Sequence, residues 1–220
     1  MTTPRDALIL AAGLGTRLRP LTTVRAKPAI PVGGEPLIRR IARWLAAGGV
    51  TGAVVNLHHL PATVAAALGD GSDLGVRVRY SWEQPLVLGS AGGPRQALPI
   101  IGARTFFIVN GDTLTDVDLG RLAAAHAGSG ALVTMALVPN REPARYGGVL
   151  LDDGSRAIGF VGRGARAGRS LHFVGVQMQH PVIPKCAVLH RVIALPRKAV
   201  EASGQHARAA CLSNRDSVIG

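Results

Sequence analysis

The chain has 220 residues, 47% of them hydrophobic, and a formal net charge of +12 at pH 7. This length and composition predict one folded domain with a sizeable core, and no apolar run is long enough to span a membrane. The two cysteines are too few for a disulfide framework and too widely spaced for a CxxC metal or redox motif. The short apolar run near the N-terminus follows an acidic residue and predicts a buried strand rather than a signal peptide, so we expect a cytoplasmic protein.

The positive charge is concentrated towards the C-terminus. Residues 1–153 contain fifteen basic and eleven acidic side chains, whereas residues 154–220 contain ten basic and two acidic ones. Such a charge suits a nucleic acid, a membrane surface or small phosphorylated substrates. The basic segment has no interleaved aromatic residues, no zinc-ligand spacing and no recognisable reading helix. We therefore expect small phosphorylated molecules as partners, and neither a nucleic acid nor a membrane.

The hydrophobic pattern predicts alternating strands and helices over the first part of the chain. A continuous apolar run at 7–12 ends in glycine, which is typical of a strand buried on both faces. Further strands are predicted at 52–57, 76–82, 105–112 and 131–138, helices at 36–49, 61–71 and 117–130, and a glycine-rich loop at 83–93. This alternation indicates an open α/β sheet with mainly parallel strands.

The pattern changes after residue 139, where short strands alternate with glycine turns. We expect a hairpin-rich insertion beside the main sheet, with a hairpin turn at Asp152, Asp153 and Gly154.

The last part of the chain, residues 178–220, shows no sustained hydrophobic period and contains both cysteines and two of the three lysines. One helix at about 196–212 is compatible with it. We therefore predict a domain at 1–177 and a C-terminal segment at 178–220 that is divergent, truncated or translated from a shifted reading frame.

The segment at 10–32, LAAGLGTRLRPLTTVRAKPAIPV, follows the first predicted strand and so lies where open α/β sheets bind ligands. Gly13 and Gly15 let backbone N–H groups approach an anion closely. Arg17 can hold phosphate oxygens with a planar fork, and Lys27 supplies a compact charge on a flexible stem. The segment lacks the third glycine of a dinucleotide-binding GxGxxG loop and the GK[ST] of a Walker A loop. The residues favour phosphate chemistry of another kind.

Several stretches together resemble the sugar nucleotidyltransferases, also called nucleotide-sugar pyrophosphorylases. GLGTRLRPLT followed by AKPAIPV resembles the signature G-x-G-T-R-x-x-P-L-T…K-P of that family. In the same order, EQPLVLGSAGG resembles its base-binding loop, VNGD its strand ending in a metal-binding aspartate, and RYGGVLLDDGSRAIGFV its hairpin near the sugar site. HFVGVQ resembles the strand that follows, so the resemblance covers roughly residues 5–177.

The resemblance implies a fold and a reaction. The fold is a Rossmann-like three-layer α/β/α nucleotidyltransferase domain with a mainly parallel central sheet and a small β insertion. The reaction joins an NTP to a sugar 1-phosphate and gives an NDP-sugar and pyrophosphate, by in-line attack on the α-phosphorus without a covalent enzyme intermediate. Catalysis then consists mostly of positioning and charge stabilisation. Mg²⁺ is the implied cofactor, and a homo-oligomer is compatible with the family.

The resemblance also implies site residues in this sequence. The catalytic residues are Arg17, which holds the departing pyrophosphate, and Lys27, which neutralises the transferring phosphate. Asp112 is the implied Mg²⁺ ligand, since its carboxylate is a hard oxygen donor. The implied nucleotide-binding residues are Ala11, Ala12, Gly13, Gly15, Thr16, Glu83, Gly89, Ser90 and Gly92. The implied sugar-phosphate-binding residues are Asn110, Tyr146, Gly147, Arg163 and Gly175.

Other polar residues receive structural interpretations. His58 and His59 are adjacent in an extended segment and so point in opposite directions, which favours a polar loop over a metal pair. Asp116 and Asp118 precede a predicted helix and are expected to cap it.

The sequence departs from the family pattern in two places. Gly162 and Arg163 stand where the family usually has Glu-Lys, which affects the choice of sugar. The family also has a second metal-binding aspartate late in the chain, for which Asp216 in SNRDSVIG is a poor substitute.

The substrates remain open between branches of the family. AKPAIPVGGEPLI and VNGD look most like the mannose-1-phosphate guanylyltransferases, whereas LGDGSDLGVRVRYSWE resembles short uridylyltransferases that act on sugar phosphates such as N-acetylmuramate 1-phosphate. Thymidylyltransferases usually have Lys-Gln where Lys27 and Pro28 stand. We favour GTP, with UTP and an amino-sugar 1-phosphate as the alternative. A catalytically impaired nucleotide-binding or NDP-sugar-binding homologue with a regulatory role is a second alternative.

Overall fold

The computed structural model describes residues 4–102, residues 104–181 and the backbone of residues 192–196. Its described residues form two compact units, an N-terminal unit up to Leu114 and a C-terminal unit from Thr115 onwards. The predicted helix at 196–212, both cysteines and Asp216 lie outside the described residues, apart from the backbone of Pro196 at the end of a strand. The expected boundary at residue 177 therefore stays a prediction.

The N-terminal unit is a parallel sheet with helices. Its elements in chain order are β1 (Asp6–Leu10), β2 (Pro31–Val32), β3 (Glu35–Pro36), α1 (Leu37–Ala47), β4 (Gly52–Leu57), α2 (Pro61–Leu68), β5 (Arg77–Trp82), α3 (Gly89–Ile101) and β6 (Phe106–Asn110). Strands β6, β1, β4 and β5 lie side by side in that order and are all parallel. The predicted parallel α/β arrangement is confirmed.

The continuous apolar runs become the central strands of this sheet. All six residues of β4 are buried, as are the three middle residues of β1, because helices cover a parallel sheet. Helix α3 packs its Ala97 and Ile101 against Leu8, Val54 and Phe106 of the strands. The core thus holds the strands rigidly, and their carboxyl ends lie together at one edge.

The glycine-rich stretch differs from the prediction of a loop at 83–93. The loop ends at Leu88, and helix α3 begins at Gly89 and continues through Pro94 and Pro99. Glycine and proline have poor intrinsic helix propensity, so local sequence disfavours this helix. Burial of its apolar side against the sheet outweighs that preference.

The described residues of the C-terminal unit include one α-helix and mostly antiparallel strands. Its elements are α4 (Leu119–Ser129), β7 (Val133–Pro139), β8 (Gly148–Leu151), β9 (Ala157–Val161), β10 (Leu171–Gln179) and β11 (Val192–Pro196). Strand β10 pairs antiparallel with β7 and β8, β8 pairs antiparallel with β9, and β11 pairs parallel with β7. The described helices of both units include none that is long and apolar enough to cross a membrane.

Two local predictions in this unit are confirmed. The carboxylate of Asp118 accepts a hydrogen bond of 3.0 Å from the backbone N–H of Arg121, so Asp118 caps α4. The turn at 152–154 joins β8 to β9, and the Asp152 carboxylate accepts a 2.8 Å hydrogen bond from the backbone N–H of Arg156.

Candidate active site

The glycine-rich loop after β1 has a defined conformation. Gly15 has φ +61, and a Cβ added there would lie 2.8 Å from Cγ2 of Thr22. The hydroxyl of Thr22 donates a hydrogen bond of 2.9 Å to the carbonyl oxygen of Gly15 and locks the turn. A Cβ at Gly13 would meet no atom within 4 Å, so the loop is open to a ligand on that side. Thr16 and Arg17 lie in the 3-10 turn that follows Gly15.

Lys27 and Asp112 form an ion pair although they are 85 residues apart in the sequence. Lys27 lies in a 3-10 turn and is only 8% exposed. Its Nζ is 2.5 Å from Oδ2 of Asp112, which follows the end of β6. Gly111 permits this approach, since a Cβ there would lie 2.6 Å from the carbonyl oxygen of Leu10. The 3-10 turn that carries Lys27 and the end of β6 therefore bring a cation and a carboxylate to one point.

A second contact joins the ends of β4 and β5. Asn56 is 3% exposed and Glu83 is fully buried. Nδ2 of Asn56 donates a 2.7 Å hydrogen bond to Oε1 of Glu83, and Oδ1 of Asn56 accepts one of 2.7 Å from the backbone N–H of Ala11. The backbone N–H of Leu88 donates a 2.7 Å hydrogen bond to Oε2 of Glu83. Both side-chain oxygens of Glu83 thus accept hydrogen bonds from protein groups.

The expected base-binding residues lie at the start of α3. Gly89 has φ +70, Gly89 and Ser90 are exposed, and Gly92 is half-buried. Gly93 is closest to the buried pair, because a Cβ there would lie 2.3 Å from Oε1 of Glu83. The first turn of α3 is therefore held against Glu83.

The two adjacent histidines hold backbone segments. Nδ1 of His58 donates to the carbonyl oxygen of Glu83 at 2.9 Å, and Nε2 of His59 donates to the carbonyl oxygen of Thr22 at 2.7 Å. Each ring thus binds a different backbone carbonyl oxygen, which agrees with the predicted polar loop rather than a metal-binding pair.

In the C-terminal unit, the expected sugar-site turn is tightly packed. Nδ2 of Asn140 donates to the carbonyl oxygen of Tyr146 at 3.1 Å, and the Tyr146 ring lies 4.8 Å from the ring of His172. A Cβ at Gly147 would lie 2.3 Å from the carbonyl oxygen of Val161. Burial lowers the pKa of His172, which keeps this ring neutral near pH 7.

Three expected sugar-site residues remain. Asn110 is the last residue of β6 in the N-terminal unit, whereas Arg163 and Gly175 follow the turn in the chain. Arg163 is exposed and lines an open pocket of about 300 Å³ that is formed by residues 160–166. Gly175 has φ +78 and lies where the register of β10 against β7 shifts, between Phe173 and Gln177.

Sequence reasoning missed three residues that organise these sites: Asn56, Asn140 and His172. For Asn56 a signal was present, since a polar amide within a continuously apolar strand requires a buried hydrogen-bond partner. The partner itself could not be read from the sequence.

A family model described as Nucleotidyl transferase matches residues 6–166, which covers most of both units. The chain belongs to the nucleotidyl transferase family. The glycine loop, the Lys27–Asp112 pair and the start of α3 are therefore features of a nucleotidyl transferase unit.

The curated relatives include guanylyltransferases and uridylyltransferases. The chain is 35% identical over 156 residues to the mannose-1-phosphate guanylyltransferase of Mycobacterium tuberculosis, which covers 71% of this chain and 43% of that protein. It is 48% identical over 112 residues to the N-acetylmuramate alpha-1-phosphate uridylyltransferase of Neisseria meningitidis serogroup B, which covers 51% of this chain and 48% of that protein. The chain thus spans about half the length of these relatives.

A solved structure has the same fold. The crystal structure of HddC from Yersinia pseudotuberculosis superposes with a TM-score of 0.74 at 22% identity, covering 88% of this chain and 90% of that one. This likeness confirms the expected Rossmann-like α/β fold.

The carboxylate of Asp112 in this nucleotidyl transferase has the oxygen donors that suit Mg²⁺. Mg²⁺ usually binds one or two carboxylates and completes its coordination with substrate phosphates and water. The Asp112 side chain is 15% exposed at the end of a strand and offers hard oxygen donors. Among the described residues there is no group of three or more His, Cys, Asp or Glu side chains that could hold a metal alone.

Proposed function

We propose that this nucleotidyl transferase joins an NTP to a sugar 1-phosphate and releases an NDP-sugar and pyrophosphate. The observation that carries the proposal is the Lys27–Asp112 pair beside the glycine loop, at the carboxyl ends of β1 and β6. Open α/β sheets bind their ligands at this edge. A fixed ammonium and a hard carboxylate are the groups that in-line transfer at a phosphate needs.

Each part of the loop has a role in the proposed reaction. Backbone N–H groups around Gly13 and Gly15, with Thr16, surround the nucleotide phosphates, because glycine leaves room for their oxygens. The guanidinium of Arg17 binds the pyrophosphate as it leaves. Lys27 holds its charge at the transferring phosphate, and the ion pair with Asp112 fixes the ammonium before substrate arrives.

Asp112 would hold Mg²⁺, which would neutralise charge on phosphate oxygens as a Lewis acid. Lys27 provides a positive charge next to this carboxylate.

Two further groups of residues define the substrates. For the nucleotide base, the proposed contacts are Ala11 and Ala12 after β1, with Gly89, Ser90 and Gly92 at the start of α3. For the sugar phosphate, the proposed contacts are Asn110, Tyr146, Gly147, Arg163 and Gly175.

GTP is the favoured nucleotide. The likeness to the guanylyltransferase covers 71% of the chain, against 51% for the uridylyltransferase, although the latter is the more identical over its shorter match. UTP with an amino-sugar 1-phosphate is the alternative pair of substrates. We further propose residues 1–177 as the nucleotidyltransferase domain and 178–220 as a divergent C-terminal segment.

The second candidate is a binding protein that retains nucleotide or NDP-sugar affinity and regulates a partner. The poor match of Asp216 to the family's second metal-binding aspartate favours it, because a missing metal ligand would leave little catalysis. A binder would be stabilised by nucleotide without turnover.

The deciding experiment is pyrophosphate release with Mg²⁺, with each NTP tested against a panel of sugar 1-phosphates. Release with one pairing supports the enzyme and identifies its substrates. Folded protein that binds an NTP but releases no pyrophosphate with any pairing favours the binder. Arg17→Ala should reduce release, whereas the matched variant Arg25→Ala removes the same charge from another exposed residue of the loop and should leave release unchanged.

A further inference from the structure

We propose that Asn56 and Glu83 are a buried positioning pair that sets the spacing between the two nucleotide-binding segments. One segment is the loop that begins at Ala11, and the other is the stretch from Leu88 into α3. The inference rests on the proposed function. It adds Asn56, and it gives Glu83, implied by the resemblance as a nucleotide-binding residue, a role through the backbone rather than by contact.

Burial excludes direct contact between these side chains and the nucleotide. Glu83 is fully buried and Asn56 is 3% exposed. Their polar atoms are nevertheless occupied by one another and by two backbone N–H groups, those of Ala11 and Leu88. A ligand at the edge of the sheet would therefore meet the segments that the pair holds.

The three hydrogen bonds form one continuous chain. It runs from the backbone N–H of Ala11 through the amide of Asn56 and the carboxylate of Glu83 to the backbone N–H of Leu88, and each link is 2.7 Å long. Because the Ala11 N–H requires an acceptor, the amide oxygen of Asn56 must face it, and the amide NH₂ must face Glu83. This directionality leaves a single arrangement for both side chains.

The carboxylate is retained in a costly environment. Among the described residues no Lys, Arg or His side chain forms an ion pair with Glu83, and its hydrogen bonds come from uncharged donors. Burying a carboxylate without a cation is unfavourable unless its oxygens are well hydrogen-bonded. A carboxyl group offers two acceptor oxygens, one for the amide of Asn56 and one for the backbone N–H of Leu88, whereas a neutral amide offers only one acceptor oxygen.

The start of α3 is shaped around the pair. A Cβ at Gly93 would lie 2.3 Å from Oε1 of Glu83 and 2.7 Å from Nδ2 of Asn56. Helix α3 can therefore approach the pair only with glycine at this position. The first turn of α3, with Gly89 and Ser90, is placed by the same contact.

Exchanging the polarity of the pair tests the inference. Asn56→Asp alone sets two carboxylates against each other, and Glu83→Gln alone leaves two NH groups facing each other or facing the Leu88 N–H. The double variant Asn56→Asp/Glu83→Gln restores all three hydrogen bonds with the donor and acceptor reversed in the middle link. It also has the net charge of the wild type.

The measurements are the Kd of GTP and of UTP, the KM of the NTP and of the sugar 1-phosphate, and hydrogen exchange of residues 84–92 in the free protein. We expect each single variant to accelerate exchange and to weaken nucleotide binding about tenfold or more, with little change in the KM of the sugar 1-phosphate. The double variant should recover to within about threefold of the wild type.

Two results would overturn the inference: single variants that bind nucleotide and exchange like the wild type, or a double variant no better than the worse single one. A pair that served stability alone would lower the melting temperature without a selective rise in the KM of the NTP. Failure of the proposed function would give a different result. Wild-type protein would then release no pyrophosphate, whereas hydrogen exchange of residues 84–92 in the variants would still report on the Asn56–Glu83 pair.

Discussion

Substituting Gly93 by alanine should disrupt the buried contact between Asn56 and Glu83. The added Cβ would lie 2.3 Å from Oε1 of Glu83 and 2.7 Å from Nδ2 of Asn56, distances at which either the helix or the side chains must move. Neither side chain can turn outwards to relieve the contact, because both are buried and held by backbone hydrogen bonds. The helix must therefore shift, or the pair must separate.

The magnitude follows from three opposing contributions. Losing a buried hydrogen bond to a charged acceptor costs about 1.5–3 kcal/mol, and overpacking a core costs about 1–3 kcal/mol. Replacing glycine in a helix interior by alanine offsets these by about 1 kcal/mol. We expect Gly93→Ala to lower the free energy of unfolding by about 1.5–5 kcal/mol, a large share of the ~5–15 kcal/mol typical of a domain.

Urea unfolding followed by tryptophan fluorescence measures this effect, since Trp82 directly precedes Glu83. The matched control is Gly128→Ala in α4, where the new Cβ would meet no atom within 4 Å and stability should be unchanged or slightly raised. Gly93→Ala with the same unfolding midpoint as the wild type would refute the reasoning, because the pair would then tolerate a side chain at its centre.

Three further outcomes are expected. Lys27→Ala should lower kcat for pyrophosphate release by about 10²-fold or more, because it removes a preorganised charge; turnover near that of the wild type would contradict this role. Burial lowers the pKa of His126, so the unfolded chain takes up a proton at a higher pH than the folded chain. The stability that neutral His126 contributes is complete above the unfolded-state pKa of about 6.5 and is lost as the pH falls from there through the lowered folded-state pKa. The urea midpoint should therefore fall with pH in this range, and His126→Gln should reduce that dependence. Gly147→Ala should lower the melting temperature, because its Cβ would lie 2.3 Å from the carbonyl oxygen of Val161. Gly162→Ala, with no atom within 4 Å of its Cβ, should melt like the wild type, and equal losses in both variants would exclude this steric explanation.

The sequence by itself determined the class of fold and predicted phosphate chemistry at the sheet edge. Apolar runs identified the buried strands β1 and β4, since burial on both faces leaves no alternation in hydrophobicity. Short-range chemistry identified the cap at Asp118 and the turn at 152–154, where the interacting groups are within four residues. The glycine loop and Lys27 are predicted to bind phosphate because residue type limits what a loop of that kind can bind.

Tertiary structure alone decided which distant groups meet. Lys27 reaches Asp112 across 85 residues and Asn56 reaches Glu83 across 27, because the order of parallel strands brings their ends together. Helix α3 starts at Gly89 against its local propensity, because the energy of packing on the sheet is absent from a single stretch of sequence. Local patterns encode the elements, whereas strand order and burial determine their partners.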